Sequence, residues 1–236
     1  MTLRGLSCGI YCTACALCSR ARQSERAVVK LVAFDLDGTL LWGDSVWEAI
    51  ARGIGRLERV REMEEQIAPD QIAEVTAARE ESAGWYSAYT SDELLKHVTS
   101  MQVAPGVDEG FALLREHGFK IAVVSLTWEF AVEWFADRFG ASYFAGTALS
   151  PDGQITHFWP EDKALWLTEL AGKLGVDMSD VAAVGDTRGD LPMLLAVGHP
   201  YWVGAAVPTE LDGKAIHQPD GDILAVAESI VRKVEG

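Results

Sequence analysis

Cysteine is absent from this 236-residue chain after position 18: Cys8, Cys12, Cys15 and Cys18 are all it has. A chain of this length can bury enough apolar surface to fold without a disulfide or metal staple. A cysteine-free remainder suits a cytoplasmic location, where disulfides do not persist. No apolar run approaches the ~20 residues of a membrane span. The N-terminus has Arg4 but lacks the apolar stretch that precedes a signal cleavage site, so neither membrane insertion nor secretion is expected. Basic residues are in deficit, with 20 Lys and Arg against 35 Asp and Glu and a net charge of −15. Binding a phosphate backbone needs a basic face, which argues against a nucleic-acid partner. An anionic substrate would need a local cation to overcome the overall charge. His97, His117, His157, His199 and His217 are scattered, none in a metal-ligand spacing, and read as surface or packing residues. There is no internal repeat and no low-complexity tract.

What is present is an alternation of short apolar runs and helical patterns. Residues 28–34, rich in Val, Leu and Phe, end at Asp35-Leu36-Asp37-Gly38-Thr39. Lys120 to Val124 ends at Ser125, and Val181 to Val184 ends at Gly185-Asp186. Helical spacing follows at 111–117, 130–139, 163–174 and 223–234. This pattern predicts an α/β fold, a doubly wound parallel sheet (Rossmann-like) covered on both faces. In such sheets ligands bind beyond the carboxyl ends of the strands, where all three runs carry their polar residues. The stretch from Leu41 to Val103 shows no convincing strand and reads as a helical insertion, too long for an ordinary connection. The expected domains are a Cys-containing extension (1–27), a core (28–41 and 104–236) and a small helical cap inserted after the first strand (42–103).

The strand ends collect Asp35, Asp37, Ser125, Asp186 and Asp190, with Lys163 opening a helix. Carboxylates gathered at one edge raise each other's pKa values. A hard cation with oxygen ligands relieves that, and Mg²⁺ suits carboxylates plus a substrate phosphate. One of Asp35 and Asp37 can attack phosphorus while the other handles the leaving-group proton. Ser125 and Lys163 offer a hydroxyl and a positive charge to the phosphoryl oxygens, and phosphoryl transfer needs mainly positioning and neutralisation. A carboxylate nucleophile making an aspartyl-phosphate is an established strategy. Taken alone, Asp-x-Asp-Gly is usually a turn and a lone lysine is usually solvated; the ordered set is what points to an enzyme.

Asp35-Leu36-Asp37-Gly38-Thr39-Leu40, Ser125, Lys163 and Gly185-Asp186-Thr187-Arg188-Gly189-Asp190 match, in order, the four motifs of the haloacid dehalogenase-like phosphohydrolases. The chain resembles that family over about residues 28 to 234. The cap position and the run through Leu191-Pro192-Met193-Leu194 are similar to the phosphoserine phosphatase branch. The resemblance implies Asp35 as nucleophile and metal ligand, and Asp37 as general acid/base with its backbone carbonyl on Mg²⁺. It implies Thr39, Ser125, Thr127 and Lys163 around the phosphate, and Asp186 with Asp190 completing the metal site. An aspartate at position 37 favours phosphatase over dehalogenase chemistry. The expected substrate is a small phosphate monoester.

The substrate side departs from the branch. Leu126-Thr127-Trp128 follow Ser125 where glycines are usual, so Trp128 would shape the pocket. Gly189 stands where Asn is common, and Asp44 stands in for a cap glutamate. After Arg79 no cation appears until Lys96, so the arginine expected for a substrate carboxylate is missing and phosphoserine is a doubtful substrate. Of the aromatics Trp42, Trp47, Trp85, Tyr86 and Tyr89, most are expected to pack cap helices, with Trp85 and Tyr86 as candidate substrate contacts. Arg188 reads equally as a solvated charge or a substrate contact. Two other functions stay open: a phosphoryl transferase or phosphomutase of the same superfamily, and a metal-binding or redox-sensing protein acting through the cysteines. Their C-x3-C-x2-C-x2-C spacing could hold zinc or an iron–sulfur cluster, or belong to an inert extension.

Overall fold

The computed structural model describes residues 30–67 and 71–235; the four cysteines, Val28 and Val29 lie outside the described residues. In chain order the elements begin with β1 (Lys30–Phe34), β2 (Leu41–Trp42), α1 (Val46–Gly53), α2 (Leu57–Gln66), α3 (Ile72–Tyr86), α4 (Ser91–Leu95) and β3 (Gln102–Val103). There follow α5 (Val107–Glu116), β4 (Phe119–Trp128), α6 (Glu129–Phe139), β5 (Tyr143–Leu149), β6 (Ile155–Thr156) and α7 (Pro160–Leu174). The chain closes with β7 (Ala182–Gly185), α8 (Leu191–Ala196), β8 (His199–Trp202), β9 (Ile216–His217) and α9 (Ile223–Glu235).

Seven strands form one sheet in the order β6-β5-β4-β1-β7-β8-β9, parallel except for the β5–β6 edge pair. The α/β, doubly wound architecture follows from the period-2 chemistry of β1. Val32 and Phe34 face one core with Phe111, Phe135 and Ile223. Leu31 and Ala33 face the other with Val124, Leu167 and Leu194. With apolar side chains pointing both ways, β1 is stable only between two helical layers. Phe34 packs 4.9 Å from Phe111, centroid to centroid, and both rings are fully buried; each contributes about 1.5–3 kcal/mol through burial.

Residues 43–101 carry the four helices α1 to α4, and the insertion is bracketed by an antiparallel ribbon pairing Leu41 with Val103 and Trp42 with Gln102. Sequence periodicity missed this ribbon, because strands of two residues carry no detectable period. Helix α1 starts at a capping box: Glu48 N–H donates to Ser45 Oγ (3.1 Å) and Ser45 N–H to Glu48 Oε2 (3.0 Å). β4 runs past its expected end at Ser125 to Trp128, with a break in its register against β5 between Val124 and Trp128. That break lifts Ser125, Leu126 and Thr127 out of the ladder and frees their backbone groups for other partners.

Candidate active site

Register decides which residues meet at the sheet edge. Phe34 pairs with Val123 on one side and Val184 on the other. Asp35, Ser125 and Asp186 therefore emerge together at the carboxyl ends of three adjacent strands. Asp35 N–H extends the ladder by donating to the Val184 carbonyl (2.9 Å). Gly38 turns the chain back with φ 87°, and a Cβ there would stand 2.2 Å from an Asp186 carboxylate oxygen. Only glycine serves at that point.

Lys163 lies in the first turn of α7, which starts at Pro160 and is anchored by Trp159 N–H donating to Asp162 Oδ2 (2.9 Å). Its Nζ donates to Asp35 Oδ1 (2.5 Å) and Asp190 Oδ1 (2.6 Å), and the side chain is 2% exposed. The second oxygen of Asp190 accepts from Asp186 N–H (3.2 Å), Thr187 N–H (3.0 Å) and the Thr187 hydroxyl (3.2 Å). Asp190 thus fastens Lys163 to the loop that carries Asp186. Carboxylate oxygens of Asp35, Asp186 and Asp190 all lie within 4.8 Å of one another.

Three acids around one lysine leave excess negative charge, and the titration behaviour reflects it. Burial, then the charge of Asp190, pushes Asp35 well above the usual carboxylate range. Burial, then Asp190 again, pushes Asp186 up to about 6. Burial raises Asp37 to about 7, although Val46 N–H donates to its Oδ1 (2.8 Å) and opposes the shift. Burial works against the Lys163 cation, but Asp190 and Asp35 outweigh it and hold its proton more tightly than usual. An all-oxygen, net-negative pocket of this kind fits a hard divalent cation.

Two assignments around the phosphate site divide. Ser125 is 3% exposed toward the end of the strand neighbouring Asp35, and its Oγ accepts from Thr127 N–H at 3.4 Å, while Thr127 lines the adjoining cavity. Thr39, expected to touch phosphate, is fully buried and its hydroxyl donates to Asp186 Oδ1 (2.8 Å). It orients an acid instead, because the Gly38 turn carries it beneath the loop of Asp186.

Beyond Asp37 opens a cavity of about 380 Å³ between the insertion and the core. The three cap contacts expected from sequence are not among its walls. Asp44 pairs with Arg52 on a different face. Trp85 lies under Arg56, 5.8 Å from ring centroid to guanidinium. Tyr86, 2% exposed, packs edge-on against Trp128 (5.5 Å, 74°) and reaches the cavity only through it. The cap wall is built instead by Trp47, Glu64, Ile67, Val75, Ala78 and Arg79. Arg79 also corrects the expectation that no cap arginine reaches the substrate side. Its Nη2 donates to the carbonyls of Leu126 (2.9 Å) and Phe158 (3.2 Å), and its guanidinium sits 4.7 Å over the Trp159 ring. Burial lowers its pKa to about 10. The signal that could have found this wall was the i, i+4 spacing of Val75 and Arg79, one face of α3. Arg188 resolves as an exposed ion pair with Glu210 (2.6 Å).

Comparison with known proteins gives a coherent result. The family model for haloacid dehalogenase-like hydrolases matches residues 32–195. The chain is 28% identical over 183 residues to a phosphoserine phosphatase of Polaromonas sp. (strain JS666), covering 72% of this chain and 76% of that one. It is 26% identical over 176 residues to a phosphoserine phosphatase of Methanocaldococcus jannaschii, covering 72% and 82%. A phosphoglycolate phosphatase of Neisseria meningitidis is 29% identical over 192 residues, covering 72% and 77%. Among solved structures, a substrate-bound phosphoserine phosphatase complex superposes with a TM-score of 0.66 at 23% identity, covering 85% of this chain and 97% of that one. That last likeness is one of fold.

Proposed function

The chain belongs to the haloacid dehalogenase-like hydrolase family and is a phosphatase within it; we propose that it is a Mg²⁺-dependent phosphomonoesterase cleaving a small phosphorylated metabolite through an aspartyl-phosphate on Asp35. The observation that carries this reading is Lys163 bridging Asp35 and Asp190 beside Asp186 at the strand ends. Lys163 engages Asp35 Oδ1, which leaves Oδ2 to attack phosphorus. The P–O bond to the leaving alcohol breaks as Asp37 delivers its proton to the departing oxygen. A pKa of about 7 lets Asp37 carry that proton at neutral pH. In the second step Asp37 takes a proton from water, the water oxygen bonds to phosphorus, and the Asp35–phosphorus bond breaks to release inorganic phosphate. Ser125, Thr127 and Lys163 hold the phosphoryl oxygens. When bound, Mg²⁺ would offset the charge of the substrate and the acids; Asp35, Asp186, Asp190 and the Asp37 carbonyl would hold it, with Asp190 also positioning Lys163 and Asp186. Residues 42–103 serve as the cap. Asp37 is tied to it through Val46, the first residue of α1, so proton transfer is coupled to the seating of that helix.

The cytoplasm is the proposed location, a reading supported by the absence of cysteine after position 18. Among the described residues no helix is long and apolar enough to cross a membrane. The direct test is release of inorganic phosphate from p-nitrophenyl phosphate. Turnover that stops with EDTA and returns with Mg²⁺ supports the reading, whereas metal-independent or absent turnover ends it.

Two further outcomes are expected at the metal site. Asp186 is raised to about 6, so the free protein keeps a proton there below that pH, and a metal must displace it. Mg²⁺ should therefore raise Tm at about pH 8 by several degrees more than at about pH 5.5; equal shifts at both would contradict the arrangement. Thr39→Val removes the hydrogen bond to Asp186 Oδ1 and should weaken Mg²⁺ binding about 10-fold by calorimetry.

A further inference from the structure

The cavity beyond Asp37 has a chemistry of its own. Trp47 from α1, Trp128 from the end of β4 and Trp159 from the loop before α7 line it. Trp47 Nε1–H donates to Ser82 Oγ (2.9 Å), so the indole's only donor is committed and what it offers the cavity is apolar ring surface. Ile67 and Val75 add aliphatic wall. Arg79, the cation in the cavity, is engaged in part: both Nη2 hydrogens go to the Leu126 and Phe158 carbonyls, and Nη1 stands 3.4 Å from His157 Nδ1. One face of its guanidinium is covered by Trp159. Two acids, Asp37 and Glu64, line the same space. A carboxylate on the leaving group would meet those acids, and Arg79 could pair with it only through the donors not given to the Leu126 and Phe158 carbonyls. An apolar group would displace water from aromatic surface and leave every hydrogen bond intact.

Resting on the phosphatase reading, we propose that this enzyme selects phosphate monoesters whose alcohol is apolar, large enough to carry a ring and free of carboxylate, with Trp47, Val75 and Trp159 determining that preference. The phosphoryl group takes the Asp35–Ser125–Lys163 end, and the alcohol lies across Asp37 into the aromatic chamber. Arg79 also reaches the phosphate end through Leu126, the residue after Ser125, and through Trp159, whose carbonyl accepts the Lys163 N–H (3.3 Å). It is a positioning residue that joins the cap to both phosphate-holding elements.

The test compares three alkyl esters of similar intrinsic reactivity, ethyl phosphate, 2-phenylethyl phosphate and O-phosphoserine, with acetyl phosphate as a probe of the phosphoryl site alone. The expected result is a kcat/KM for 2-phenylethyl phosphate about 100-fold above that for O-phosphoserine. Trp47→Ala should lower kcat/KM for 2-phenylethyl phosphate about 10-fold more than for ethyl phosphate, chiefly through KM. Val75→Phe, which narrows the chamber without opening a hole behind it, should shift the same ratio in the same direction. Equal or better turnover of O-phosphoserine, or a ratio that neither variant moves, would overturn the proposal while Mg²⁺-dependent acetyl phosphate hydrolysis keeps the phosphatase reading standing. Failure on all four compounds would overturn both.

Discussion

Asp35→Asn should lower Mg²⁺-dependent turnover by at least about 10³-fold, since the amide cannot form the acyl phosphate. The substitution is nearly isosteric, and the Asn carbonyl still accepts from Lys163, so the fold is retained. Its effect on stability has the opposite sign to its effect on activity. The folded protein raises the Asp35 pKa through burial and the neighbouring charge of Asp190. Above the ordinary carboxylate pKa, the wild-type protein in EDTA therefore carries a destabilising charge that the neutral side chain lacks. The variant should melt at or above the wild-type temperature near pH 8, and the difference should shrink toward pH 5 as Asp35 takes up its proton. Circular dichroism melts at the two pH values check this beside the assay. Substantial residual activity would remove Asp35 as the nucleophile, and a large loss of Tm would show that its charge stabilises the fold.

Lys163→Met should do the reverse, damaging stability and activity together. Lys163 and its two partners are almost fully buried, with 2%, 6% and 0% exposed side chains, and the hydrogen bonds are 2.5 and 2.6 Å. Removing the cation leaves Asp35 and Asp190 facing each other in a dry site beside Asp186. Breaking a buried pair from one side costs about 3–5 kcal/mol, which for a chain of this size is roughly 6–20 °C in Tm. The raised pKa values fix the pH dependence. The loss is greatest where the acids are charged and shrinks as pH falls through the folded-state values of Asp35 and Asp186, both above their unfolded ones. Mg²⁺ should restore part of the stability by supplying positive charge at the same acids. Turnover should fall about 10²-fold or more even with Mg²⁺ present, because a phosphoryl-facing cation is gone. A variant as stable as wild type in EDTA at pH 8 would show that the acids shed their charge without help from Lys163.

These two sites were legible in the sequence for a simple reason. Asp35, Ser125 and Asp186 each end an apolar run, and a parallel sheet brings the ends of its strands to one edge. Lys163 was legible less directly: it lies in the first turn of helix α7, and only the ordered motif set lifted it above a solvated lysine. Thr39 illustrates the limit of residue type as a guide. A threonine beside a phosphate-binding motif reads as a phosphate ligand, yet the sharp Gly38 turn commits its hydroxyl to Asp186.

The cap was legible as a helical insertion but not in its wall. Asp44, Trp85 and Tyr86 were sensible choices by type and position, and each faces elsewhere. Arg79, passed over in sequence, contacts residues 47 and 79 positions away through Leu126 and Phe158. By itself the sequence determined the doubly wound sheet, the strand-end chemistry and the place of the insertion, because side-chain alternation, helix caps and ordered motifs act over a few residues. Only the tertiary structure decided which face of α3 covers the nucleophile and where the cavity lies. That choice rests on packing between α3, the lifted segment 125–127 and the loop 157–159, a fit of shapes and hydrogen-bond partners that no local pattern encodes.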